Sequence, residues 1–256
     1  MNVFDYLFDA THDSDKEFVL GTMETISFKN LYENSLKVAA FLTNTIGDNQ
    51  NIILISPNSV FFITAYLGIL KSGNICVPLN FDIEQNNLDY VTELTNCKTV
   101  FIGNKLHKKL KFEETVSCYD EKNLSHIIET HKKGTFKNSF EINRAAEILF
   151  TSGSTGIPKG VMISHQNIIS NTNAINASLK LTSKDTISVV LPFFYCYGLS
   201  LLHTHLKVGG SMVLDNGFMF LGSFIKNLKT YRCTGFAGVP SHFQILLKKS
   251  LLLFLI

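Results

Sequence analysis

The stretch Thr151-Ser-Gly-Ser-Thr-Gly-Ile-Pro-Lys-Gly160 gathers the residue types that hold anionic oxygens. Its glycines permit positive φ and close backbone approach, its hydroxyls add donors, and its lysine adds a point charge. The plain alternative is a hairpin turn, in which Gly-Ser clusters are common. The lysine, the repeated Ser-Thr pairs and the flanking apolar runs Ile148–Phe150 and Val161–Ile163 favour a phosphate-binding loop between two strands. Ser164 then caps a helix whose dipole is expected to assist anion binding.

Two common nucleotide motifs are near misses. A Walker loop counted from Gly153 would need glycine where Pro158 stands and a hydroxyl where Gly160 stands. The dinucleotide fingerprint fails at Thr155, which occupies the place of its second glycine. As it stands, the string resembles the signature loop of the adenylate-forming superfamily, which comprises acyl-CoA synthetases, fatty-acyl-AMP ligases and peptide-synthetase adenylation domains. Leu67–Leu79 resembles a second, chiefly structural landmark of that family, a helix end feeding a core strand.

The resemblance implies a two-step ligase. A carboxylate oxygen attacks the α-phosphorus of ATP, pyrophosphate leaves, and the acyl-adenylate then passes to a thiol of coenzyme A or of a carrier protein's phosphopantetheine. It further implies that Thr151, Ser152, Gly153, Ser154, Thr155, Gly156 and Lys159 bind the nucleotide, that Lys159 and Thr155 are catalytic, and that Thr151 helps coordinate Mg2+. Positioning and charge neutralisation dominate such a step.

Leu191–Ser200 reads as a strand end, an aromatic turn and a helix start, at the edge where open parallel sheets bind ligands. It resembles the segment bordering the family's acyl pocket. Many relatives carry histidine where this chain has Tyr195, and tyrosine there suggests the branch of fatty-acyl and aryl ligases. Gly235–Pro240 resembles the opposite wall. Tyr195, Gly198 and Gly238 are the expected substrate-binding residues, with plain packing as the alternative for Tyr195 and Gly198 and a strand-to-turn glycine as the alternative for Gly238; Phe193 and Phe194 read as core.

The elements that must position these residues alternate along the chain. Apolar runs at 51–55, 75–79 and 99–102, separated by helical patterns, argue for a doubly wound parallel sheet. The pattern resumes after residue 146. The expected fold is α/β, two mainly parallel-sheet subdomains of the family's large domain with the second incomplete. Residues 1–145 would form the first subdomain with an N-terminal hairpin, 146–250 the start of the second, and 251–256 an apolar tail foreign to the family. The charged stretch 103–147 reads as a passage between them, and Ser241 as the cap of the last helix. The family's later Tyr-Gly-x-Thr-Glu and Thr-Gly-Asp segments do not occur, nor does its C-terminal lid. A truncated chain, weak or inactive alone, is expected, with a non-catalytic nucleotide-binding fragment or half of a split ligase as the alternative. The missing portion would then be a separate partner chain.

Composition narrows the remaining classes. Forty-five per cent hydrophobic and 17% charged residues describe a globular chain, and a net charge of +2 supplies no cationic field for nucleic acid. The lysines between 105 and 111 read as a solvated face. Five scattered cysteines without a Cys-x-x-Cys pair fit reduced, mostly buried thiols. His203 and His205, two apart on a helix, point to different faces and give no metal site. No secretory leader and no membrane span are expected, hence a cytoplasmic protein.

Overall fold

The computed structural model describes residues 2–21, 24–134, 136, 141–151, 158–218 and 220–249. The tail expected at 251–256 lies outside the described residues. Apolar runs buried on both sides build the first sheet. In it β3 (Asn51–Ile55) is flanked in parallel by β4 (Ile75–Pro78) and β5 (Thr99–Ile102), with β6 (Ser117–Tyr119) beyond β5. On the other side β7 (Ala145–Thr151) runs parallel to β4, and β8 (Lys159–Ser164) returns antiparallel to β7. Ile53, Ile55, Val77, Val100 and Ile102 share one core, while Ile52, Leu54, Cys76 and Phe101 belong to the other. Strand alternation divides each run between two layers, as in a parallel sheet covered on both faces.

The second sheet has the order β11 (Gly235–Ala237), β9 (Thr186–Val189), β10 (Ser211–Leu214), β1 (Glu17–Leu20), β2 (Ile26–Ser27). All neighbours are parallel except the β1–β2 hairpin. The larger core is continuous between the sheets, joining Phe18, Val19, Ile187 and Met212 to Ile52, Leu54 and Leu149.

Helices fill the layers between strands. After α1 (Val3–Leu7), the long α2 (Phe28–Ile46) begins where Ser27 Oγ accepts the Asn30 N–H and ends at Gly47, with φ +79°. The buried α3 (Val60–Lys71) starts at Ser59, whose Oγ accepts the Phe62 N–H. A Cβ on Gly68 would stand 2.6 Å from Val38 Cγ1, so α2 and α3 touch there because glycine leaves the gap. The remaining helices are α4 (Gln85–Leu94), α5 (Asn104–His107), α6 (Glu121–Thr130), α7 (His165–Leu179), α8 (Cys196–Val208), α9 (Leu221–Thr230) and α10 (Pro240–Lys248).

The sheets divide the chain differently from the expected boundary at 145. β7 and β8 complete the first sheet, so the phosphate-loop hairpin belongs to it, while the N-terminal hairpin joins the second sheet beside β10. Composition could not show this, because strand pairing at such separation leaves no local pattern. The stretch 103–147 is likewise no mere passage: β6 extends the first sheet, and Leu124 and Ile127 of α6 enter its core. Ser241 does not cap α10, because Pro240 occupies the first helical position and Val239 the cap. On α7 Ile168 and Thr172 are buried, whereas Leu179 is exposed. Of the cysteines, Cys76 and Cys97 are buried, Cys118 and Cys233 half-buried, and Cys196 exposed. Among the described residues no helix is long and apolar enough to cross a membrane.

Candidate active site

The hairpin of β7 and β8 brings the two ends of the glycine-rich loop face to face. Thr151 and Lys159 are cross-strand partners, and Thr151 Oγ1 donates weakly to Lys159 O at 3.4 Å. Directly opposed residues in an antiparallel pair project from the same face, so the hydroxyl and the ammonium share one side of the hairpin. Both are exposed. Gly160 pairs with Phe150, and a Cβ there would meet Ile148 Cγ2 at 2.9 Å and Phe150 Cζ at 3.2 Å. Glycine lets the Phe150 ring lie against β8 and hold the hairpin closed. Ser152, Gly153, Ser154, Thr155 and Gly156 lie outside the described residues.

The loop ends open onto a small cavity of about 160 Å³. Pro78, Leu79 and Asn80 at the end of β4, Phe150 and Thr151 at the end of β7, Pro158, and the aromatic pair Phe194 and Tyr195 line it. The cavity thus sits at the carboxyl ends of neighbouring parallel strands, the ligand-binding edge of such sheets. Tyr195 is 55% exposed and precedes α8. Gly198 lines neither this cavity nor the larger one described below; a Cβ there would fall 2.1 Å from Pro192 O, so it packs the first turn of α8 against the turn before it. Gly238 also lines neither cavity and is hemmed in by His242 and the Phe236 ring. The structure therefore brings Thr151 and Tyr195 to one cavity, sets Lys159 beside Thr151 across the hairpin, and leaves both glycines as packing positions.

The helix after β8 does not point its N-terminus at the loop. α7 starts at the far end of a strand of six residues, roughly 17 Å from Lys159 at the rise of a β-strand. Its first turn is satisfied by Ser164 and Asn167 in a reciprocal cap, so the expected dipole contribution is absent.

Magnesium does not fit the described residues unaided. Thr151 offers one hydroxyl, the small cavity is lined by no carboxylate, and no group of three His, Cys, Asp or Glu side chains occurs among the described residues. Mg2+ needs carboxylates and phosphate oxygens.

Two polar features escaped the sequence reading. The buried Asn58 side chain donates to Leu191 O at 2.9 Å and accepts the Phe193 N–H at 2.8 Å, clamping the aromatic turn to the start of α3. The second is Glu147, in the middle of the apolar run 145–150, whose Oε2 accepts the Tyr66 hydroxyl at 2.9 Å. The same hydroxyl lies 2.7 Å from His203 Nε2. Burial pushes the Glu147 carboxyl up to about 7 and the His203 imidazole down to about 3. A lone carboxylate in a buried apolar strand was the visible signal. These groups sit at a second cavity of about 460 Å³ between α7, α8 and β8.

Comparison with known proteins gives the family and the fold. The family model described as AMP-binding enzyme matches residues 8–253. Tyrocidine synthase 3 of Brevibacillus parabrevis is 28% identical over 236 residues, covering 89% of this chain and 4% of that protein. A long-chain-fatty-acid–CoA ligase of Bacillus subtilis is 25% identical, covering 91% of this chain and 49% of that protein. The crystal structure of apo MatB from Rhodopseudomonas palustris superposes with a TM-score of 0.85 at 23% identity, over 97% of this chain and 51% of that one, a likeness of fold.

Proposed function

The chain belongs to the AMP-binding enzymes, and from that premise we propose that it contributes the ATP-tail and acid-binding portion of a ligase that converts a carboxylic acid to its acyl-adenylate. The observation that carries this reading is the meeting of Thr151 and Tyr195 at one cavity on the carboxyl edge of the first sheet, with Lys159 paired across the hairpin from Thr151. A carboxylate oxygen bonds to the α-phosphorus of ATP while the bond to pyrophosphate breaks. Lys159 offsets the negative charge of the departing phosphates, and Thr151 donates to the same oxygens. Tyr195 borders the carboxylate's approach. In the second step a thiol of coenzyme A or phosphopantetheine bonds to the acyl carbon and AMP leaves. A fatty or aryl acid is the proposed substrate class, supported by the apolar and aromatic lining beside the loop.

The chain spans about half the length of the Bacillus subtilis ligase and of MatB. That coverage favours a second reading in which these residues bind nucleotide and a separate chain completes the reaction. Exchange of labelled pyrophosphate into ATP, with and without added acid, separates the two. Acid-dependent exchange that falls by about a hundredfold or more in Lys159→Ala supports the ligase, a loss of the size seen when one charge-stabilising donor is removed. ATP binding without exchange supports the second reading, and acid-independent ATP hydrolysis defeats both.

A further inference from the structure

The larger cavity, at about 460 Å³, falls in the range of small-molecule sites. Ile163, Ile168, Ile175 and Leu199 make much of its wall apolar, and Glu147 and His203 make one part of it polar. Glu147 is 3% exposed, yet no ion pair among the described residues includes it. Oε2 is engaged by Tyr66, and Oε1 accepts no hydrogen bond among the described residues. The Tyr66 hydroxyl has a single proton, so when it donates to Glu147 it must accept from His203 Nε2, and both rings stay neutral. A buried carboxyl with one oxygen uncommitted at a cavity and no cation beside it has hydrogen-bonding capacity that a ligand can complete.

Its position suggests what does. Glu147 and Thr151 are four residues apart on β7 and share a face, so the carboxylate lies roughly 13 Å back along the strand from the loop. The cavity wall includes Cys196 and Tyr197, next to Tyr195 of the smaller cavity. We propose that the larger cavity holds the body of the acid and that Glu147 is a specificity-determining residue, accepting a hydrogen bond from a hydroxyl or amino group far from the reacting carboxylate. Tyr66 and His203 are positioning residues that fix the carboxyl orientation. The proposal rests on the ligase reading for where the reacting carboxylate lies.

Equilibrium dialysis of the intact chain tests it with labelled decanoic acid and its terminal-hydroxy and terminal-amino counterparts. At least one substituted acid is expected to bind about tenfold or more tightly than decanoic acid. Glu147→Leu should reverse that order. Glu147→Gln should keep affinity for the hydroxy acid and lose it for the amino acid, which tells the two donors apart. Equal affinity for all three acids, or a preference unchanged in Glu147→Leu, overturns the proposal. Should the Leu variant not fold, the Gln variant and carbon-13 NMR of the Glu147 carboxyl decide. The resonance must move with the favoured substituted acid and stay with decanoic acid; the same response to both refutes direct contact. Pyrophosphate exchange keeps the two readings distinct. A Glu147-dependent preference without exchange retains the contact between Glu147 and the substituted acid and removes the ligase, whereas exchange without the preference keeps the ligase and removes the contact.

Discussion

Glu147 and two histidines set opposing demands on the protonation of the folded chain. A carboxyl raised from 4.5 to about 7 stays neutral in the fold while the unfolded chain ionises, so its stabilising effect is full below about 4.5 and lost as pH rises through 7. His203 is held down to about 3 and His165 to about 4, chiefly by burial, against an ordinary 6.5. Their neutral forms support the fold above 6.5, and that support is lost as pH falls towards 3 to 4. Two falling contributions outweigh one rising one on the acid side, so these three groups together place maximal stability at about pH 7. Replacing Glu147 with glutamine keeps an acceptor for Tyr66 and removes the ionisation. Its stability relative to wild type should rise between pH 5 and 8, by about 2–3 kcal/mol, read from thermal unfolding across that range.

The aromatic turn and α8 form one unit because Asn58 and Gly198 leave it a single conformation. Removing the amide in Asn58→Ala strands a buried carbonyl and a buried N–H, an expected cost of about 2–4 kcal/mol in chemical denaturation. Gly198→Ala forces the first turn of α8 away from Pro192 and should also reduce affinity for whatever Tyr195 touches. At this scale much was legible beforehand. The strands Asn51–Ile55 and Thr99–Ile102 match their apolar runs residue for residue, since the pattern acted locally. Ser164 announced a helix start by the same local chemistry. Asn58 stayed hidden, since its partners stand more than a hundred residues away and an Asn in a Ser-Pro-Asn-Ser turn looks like turn chemistry alone. The loop was read from its composition, whereas the direction of α7 depended on an intervening strand that turns it away.

The whole molecule is stitched by its N-terminal residues. β1 inserts beside β10, Lys207 pairs with Asp9 at 2.5 Å, and Lys71 pairs with Asp5 at 2.6 Å. The backbone N–H of Val3 donates to His165 Nδ1 at 3.2 Å, tying α1 to α7. The first-half and second-half division drawn from composition failed here, because each sheet recruits strands from the other's stretch of chain. Deleting residues 1–27 should expose the edge of β10 together with the apolar surface under Phe18, and yield aggregated protein in size-exclusion chromatography. A variant confined to the loop, such as Lys159→Ala, should elute unchanged.

That exchange of strands also bears on how the protein is made. As it emerges from the ribosome, β1 appears about 190 residues before its neighbour β10. At ordinary translation speed the wait is about 10–40 s. β8 completes the six-stranded layer before β10 emerges, while Phe18 and Val19 still have no permanent place to go. Until β10 arrives they are open to a chaperone.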